Sequence, residues 1–265
     1  REGLYRSGWG RDAYPSQRLG NSMSEISTPF SVVLLLGLVA GMADVLGGLL
    51  LLRVRAERFL HGFVAFGAGF LIAVAIVEMV PESLHVSPIA APLWILAGFC
   101  GVHLLEHTVV AHLHFEEEAP AEEFLRRSTA YSVTFGLAAH TFFDGIAIAS
   151  GFAFSNVLGW LVFAGMLLHK LPEGFTVGSV MLASGRSARV AVTAACALGA
   201  TTVVGVAAIH FLPGLASVGL PLSAGVALYV AGTDLLPEVN RVHGIRYRLL
   251  FFLGVGAFLL ARWIA

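Results

Sequence analysis

Charge is scarce in this chain: of 265 residues only 12% are Asp, Glu, Lys or Arg, against about 25% in an ordinary soluble domain. That shortage argues against a soluble globular protein. Lysine is almost missing, since Lys170 is the only lysine among the 16 basic residues. Cysteine is limited to Cys100 and Cys196, both inside apolar runs, so no disulfide framework is implied. The formal net charge is −1, and without a basic footprint no nucleic-acid partner is expected.

What is abundant is apolar length. Hydrophobic residues make up 57% of the chain, and runs near the roughly 20 residues needed to cross a bilayer lie at about 30 to 52, 62 to 81, 88 to 110, 128 to 150, 157 to 182, 188 to 211, 217 to 239 and 246 to 264. The third run is blurred by Pro88 and Pro92. These runs predict an all-α polytopic membrane protein with eight transmembrane helices, forming one domain over 30–265 behind a polar tail over 1–29. Met23 is a natural start, so residues 1–22 are read as non-native or upstream of it. Trp94, Trp160 and Trp263, near run ends, read as interfacial anchors.

The basic residues are unevenly spread. Arg53, Arg55 and Arg58 follow the first run, Arg126 and Arg127 precede the fourth, Arg186 and Arg189 follow the fifth, and Arg241, Arg246 and Arg248 follow the seventh. Loops after the second, fourth and sixth runs carry no basic residue. The positive-inside rule then puts both termini outside the cytoplasm, in a plasma or bacterial inner membrane. Arg1, Arg6, Arg11 and Arg18 in the tail run against this orientation.

A spaced repeat suggests the architecture. Ala68-Gly69, Val74-Ala75, Glu78 and Pro81-Glu82 recur without a gap as Ala224-Gly225, Val230-Ala231, Asp234 and Pro237-Glu238. The two runs are five apart and must cross in opposite directions. That predicts an inverted repeat of helices 1–3 and 6–8 around central helices 4 and 5.

Two polar steps interrupt the central helices: His140-x-x-x-Asp144-Gly and His169-Lys170-x-Pro172-Glu173-Gly. Four residues is just over one helical turn, so each imidazole and its carboxylate share a face. A charge at bilayer depth costs about 2.5–3.5 kcal/mol on insertion scales; a divalent metal held by His140, Asp144, His169 and Glu173 would compensate. Imidazole and carboxylate suit Zn²⁺ first, with Fe²⁺, Mn²⁺ or Cd²⁺ as other candidates, and no thiolate is placed for Cu⁺. Pro172 removes an amide donor and is expected to loosen the helix near His169. Lys170 can reach Glu173 or Asp144, either as a charge partner or as an ammonium standing where a second cation would sit. Asp44, isolated in the first run, is expected to face the bundle.

Other polar groups offer secondary roles. Glu78 and Glu82 in the second run, with Asp234 and Glu238 in the seventh, could draw cations into vestibules. His103, Glu106, His107, His112, His114 and Glu116 to Glu118 cluster around a cytoplasmic loop at about 111–127 that could receive metal leaving the core. His103-x-x-Glu106-His107 also fits a zinc-peptidase pattern, so the alternative reading is a membrane-embedded zinc-dependent hydrolase. A hydrolase has no need of inverted halves.

Taken together, residues 31 to 264 resemble the ZIP (Zrt/Irt-like) family of divalent metal transporters, in a branch with His-Lys-x-Pro-Glu-Gly in helix five. The resemblance rests on the two central motifs and on the Pro-Glu pairs of helices two and seven. It implies a transporter rather than an enzyme, with no organic cofactor and the metal as its cargo. It also implies alternating access in which helices one, four, five and six slide against two, three, seven and eight as an elevator. Divalent metal ions, the lipid bilayer and a second copy forming a homodimer are the candidate partners. Thr141 stands where many members have Asn, and Lys170, Glu173 and Gly174 stand where many have Glu, His and Glu.

Overall fold

In the computed structural model of the chain, residues 28–51, 57–106, 127–241 and 244–265 are described. Among them the chain forms eight helices. The tail 1–22, His107, His112, His114 and Glu116 to Glu118 lie outside the described residues.

Helix α1 is Phe30–Leu50. Helix α2 comes in three pieces, Glu57–Val74, a π turn at Ala75–Met79, and Val80–Val86. Helices α3 (Ala91–Leu104), α4 (Arg127–Phe154), α5 (Asn156–Ala183) and α6 (Ala188–Phe211) follow. Helix α7 is again divided, into Ala216–Tyr229, a π turn at Val230–Leu235 and Leu236–Arg241, and α8 is Ile245–Ile264.

Six of the eight, α1, α2, α4, α6, α7 and α8, are long and apolar enough to cross a membrane. Among the described residues the expected third span is represented by the 14 residues of α3, about 21 Å at 1.5 Å per residue, and residues 107–126 lie outside them. Helix α5 has the length, at 28 residues, but its His169-to-Glu173 step lowers its hydropathy.

Local chemistry explains the breaks. Both π turns run into a proline, Pro81 and Pro237. Each proline lacks the amide that would bond to the carbonyl four residues back, Val77 or Thr233, and its ring pushes that carbonyl aside, so the turn widens. Helix α5 runs on through Pro172, which has no amide to give the Leu168 carbonyl. Between α4 and α5 the Ser155 hydroxyl accepts from the Leu158 amide at 3.1 Å and starts the new helix at once. Helix α5 ends at Gly185, at φ 75°. There the Arg186 and Gly185 amides donate to the Met181 and Leu182 carbonyls, the paired bonds of a Schellman motif.

In lipid, apolar surface gains little by leaving its solvent, so helices associate mainly through close packing at small residues. Five reciprocal glycine pairs do this here, Gly41 of α1 with Gly199 of α6 among them. Gly47 of α1 lies on the Leu171 carbonyl of α5, and Gly174 of α5 lies on the Asp44 carbonyl of α1. Gly145 of α4 and Gly205 of α6 meet the Thr202 and Phe142 carbonyls in the same way. Gly69 with Gly254 joins α2 to α8, and Gly98 with Gly225 joins α3 to α7. A Cβ at any of these ten positions would collide with the facing backbone.

Helices α1, α4, α5 and α6 thus pack as one group, each on its neighbours, while α2 meets α5 and α7 meets α4 from outside it. The apolar core fills those outer contacts, with Leu71, Val74, Val162, Met166 and Leu220 all but fully buried.

Candidate metal site

The middle turns of α4 and α5 face each other, and the side chains that the sequence singles out meet there. One ligand atom from each of His140, Asp144, His169 and Glu173 falls within 4.8 Å of the others, and all four residues are buried. Asp144 Oδ2 is the meeting point. It lies 3.4 Å from His140 Nε2, one turn away on α4, and 3.3 Å from His169 Nε2 on α5.

The imidazoles are oriented for a cation. His169 Nδ1 is 3.1 Å from the Gly165 carbonyl, which can only accept, so Nδ1 carries the proton. Nε2 faces Asp144 Oδ2 at 3.3 Å and, once deprotonated, offers its lone pair to a cation bound there. His140 is buried with neither ring nitrogen in a hydrogen bond. Two imidazoles around a carboxylate oxygen are a donor set that a metal fits once both Nε2 atoms are deprotonated.

Lys170 supplies part of that charge. Its Nζ lies 2.6 Å from Asp144 Oδ2 and 2.7 Å from Glu173 Oε2, so it meets both carboxylates that were within its expected reach. The other Glu173 oxygen accepts a hydrogen bond from the Thr141 hydroxyl. The sequence marked Thr141 as a departure from the common motif but gave it no role. Asp44 also belongs here, fully buried, with Oδ2 3.9 Å from Lys170 Nζ.

The remaining candidates stand apart from this cluster. Glu78, in the α2 π turn, is paired with Arg262 of α8, a partner with no sequence signal. Glu82 is half-buried. Asp234 is exposed and accepts from the Thr233 hydroxyl at 3.0 Å. Glu238 Oε1 lies 3.3 Å from His61 Nε2. His103 of the peptidase-like pattern has its ring edge-on to Tyr229, with centroids 5.9 Å apart.

A bundle of long apolar helices with imidazole and carboxylate ligands buried between its two central members defines a class: an integral, multi-pass membrane protein with a metal-ligand set in its interior. Comparison with known proteins narrows that class. A model of the ZIP zinc transporter family matches residues 116–261, more than half of the chain, and the chain belongs to that family. The human zinc transporter ZIP4 is 32% identical over 131 residues, 48% of this chain and 20% of the human protein. The zinc transporter ZupT of Escherichia fergusonii is 31% identical over 126 residues, 44% of this chain and 49% of the bacterial protein. The zinc transporter ZIP9 of Xenopus tropicalis is 24% identical over 262 residues, 80% of this chain and 86% of that protein. The chain thus spans half or less of the length of the first two. These relatives are named as transporters, and nothing among them supports the hydrolase alternative.

Proposed function

We propose that this chain carries a divalent metal ion, zinc by first preference, across a membrane toward the cytoplasm by alternating access, with His140, Asp144, His169 and Glu173 holding the ion midway. The observation that carries this reading is the convergence of four ligand atoms within 4.8 Å. Ligands about 2.0–2.2 Å from a tetrahedral zinc stand roughly 3.3–3.6 Å from one another. Both imidazoles already stand at 3.3–3.4 Å from Asp144 Oδ2, so only part of the set must contract. The names of the relatives, all zinc transporters, point to the same cargo.

The inverted repeat is part of this proposal, and the glycine contacts support it. Gly69 and Gly225 are 156 positions apart, and so are their partners Gly98 and Gly254, so the α2–α8 contact has its counterpart in α7–α3. The α1–α5 contact at Gly47 and Gly174 has a similar counterpart in α6–α4 at Gly205 and Gly145, with Gly205 158 positions after Gly47. The π turns fall at matching places in α2 and α7. An alternating-access carrier uses such halves to exchange the accessible side around a central site.

Within this reading all eight helices span the bilayer, and α1, α4, α5 and α6 carry the site as one body. Apolar faces, such as Gly165 of α5 against Phe70, Leu71 and Val74 of α2, suit sliding. Exposed Leu35, Leu38 and Met42 on α1, with Leu249, Phe252 and Leu253 on α8, suit contact with lipid. Thr28 Oγ1 donates to Asn156 Oδ1 at 2.6 Å, which supports placing the start of α1 and the α4–α5 joint on one side of the membrane, and the arginine distribution is what makes that side the outside. Metal ligands must be deprotonated, so loading releases protons and weakens in acid.

Uptake by proteoliposomes supplied with a panel of divalent cations tests the proposal. Zinc uptake that saturates, and that falls strongly when any of the four ligands is changed to Ala in a folded protein, is expected. Normal uptake by all four variants would remove the site assignment.

A further inference from the structure

Asp44 is a buried acid that the four-ligand reading leaves unused. It is 0% exposed, and neither of its oxygens has a hydrogen-bond partner. An unpartnered carboxylate at membrane depth is costly and calls for a cation. The Lys170 ammonium stands 3.9 Å from Oδ2, short of a hydrogen bond, because it is drawn to Asp144 and Glu173 at 2.6 and 2.7 Å. Asp44 cannot drift away, because Gly174, next to Glu173, lets the α5 backbone seat directly on its carbonyl.

Lys170 stands where a metal would have to bond. Asp144 Oδ2, its closer partner, is the oxygen that faces both imidazole Nε2 atoms. A divalent ion bonded there and an ammonium on the same oxygen would repel each other. Charge adds a second constraint: with neutral imidazoles, Asp44, Asp144, Glu173 and Lys170 together carry two net negative charges, which one divalent ion cancels. A monovalent ion would leave the buried set negative and a trivalent ion would leave it positive.

We propose that Lys170 is a tethered counter-ion which the arriving metal displaces, and that Asp44 receives its ammonium. Loading is then an exchange of one cation for another inside the bundle. Nζ needs to move only about 1 Å to bring its 3.9 Å separation from Asp44 Oδ2 into the charge-assisted range of roughly 2.7–2.9 Å, a shift within the freedom of a four-carbon stem. Asp44 touches no metal in this scheme. It positions Lys170 and determines specificity for divalent charge. This inference rests on the four-ligand reading above.

Cadmium binding to purified wild-type, Asp44→Asn, Lys170→Met and doubly substituted protein tests it. Removing one member of a buried charge pair is a large perturbation, so Asp44→Asn should bind cadmium about a hundredfold more weakly than wild type. Lys170→Met in that background removes the ammonium that has nowhere to go, and should recover most of the loss. Binding by Asp44→Asn within about threefold of wild type, or no recovery in the double variant, would overturn the exchange. A cadmium-loaded structure of the wild type decides independently of any folding defect: Nζ is expected on Asp44 and off Asp144, and Nζ still on Asp144 beside bound cadmium would overturn it. Wild-type protein that binds no cadmium would remove the four-ligand reading itself, and this inference with it.

Discussion

The Thr141 hydroxyl of α4 donates a hydrogen bond to Glu173 Oε1 of α5, while Lys170 holds Oε2 at 2.7 Å. Both oxygens of a buried carboxylate are therefore occupied, one by a group on the facing helix. Replacing Thr141 by Val keeps the shape and removes the donor, leaving Oε1 buried and unsatisfied. The expected cost is about 1–3 kcal/mol, read as a lower melting temperature in detergent, and Thr141→Ser should restore it. Equal melting of Val and Ser variants would show that the hydrogen bond contributes nothing.

Lys170→Glu should raise the number of divalent ions bound by the purified protein to two, because it replaces a repelling ammonium with an oxygen ligand next to Asp144 and Glu173. Lys170→Ala, which adds no ligand, should stay at one. Metal-to-protein stoichiometry measures both, and a ratio of one in Lys170→Glu would leave Lys170 as a charge partner alone.

Cysteines introduced at Ser87 and Asn156 should react with an impermeant thiol reagent from outside, and one at Ser187 should not. The exposed native Cys100 and Cys196 are first changed to Ser. Labelling in the opposite sense would reverse the orientation drawn from the arginines.

Gly174→Ala should fail to fold or melt far below wild type, since its Cβ would enter the Asp44 backbone; overpacking of this kind costs typically 1–3 kcal/mol or more. Gly256→Ala on α8 meets nothing within 4 Å and should melt like wild type. Similar melting of the two would mean that α1 and α5 can separate without loss.

Much of the site could be read along single helices. The step from His140 to Asp144 is a property of helical pitch, and the structure realises it as a 3.4 Å approach. The reach of Lys170 to Glu173, three residues on, is equally local. Asp44 could be read only as facing inward, because its neighbour lies 126 positions away and no periodicity links them. Thr141 was visible only as an unusual residue, since its partner Glu173 is on the other helix. Glu78 could be placed in the second apolar run and read as a vestibule group, yet its pairing with Arg262 joins helices far apart in sequence.

What the sequence alone determined is what depends on neighbours along the chain: the apolar runs, the faces carrying His140, Asp144, His169 and Glu173, and the prolines behind the two π turns. The tertiary structure decided which faces meet. Helix crossings are set by where backbones can touch, and here that is at Gly47, Gly145, Gly174 and Gly205. Those contacts bring Asp144 Oδ2 to the His169 imidazole and leave Asp44 within 3.9 Å of Lys170, distances that no spacing within one helix contains.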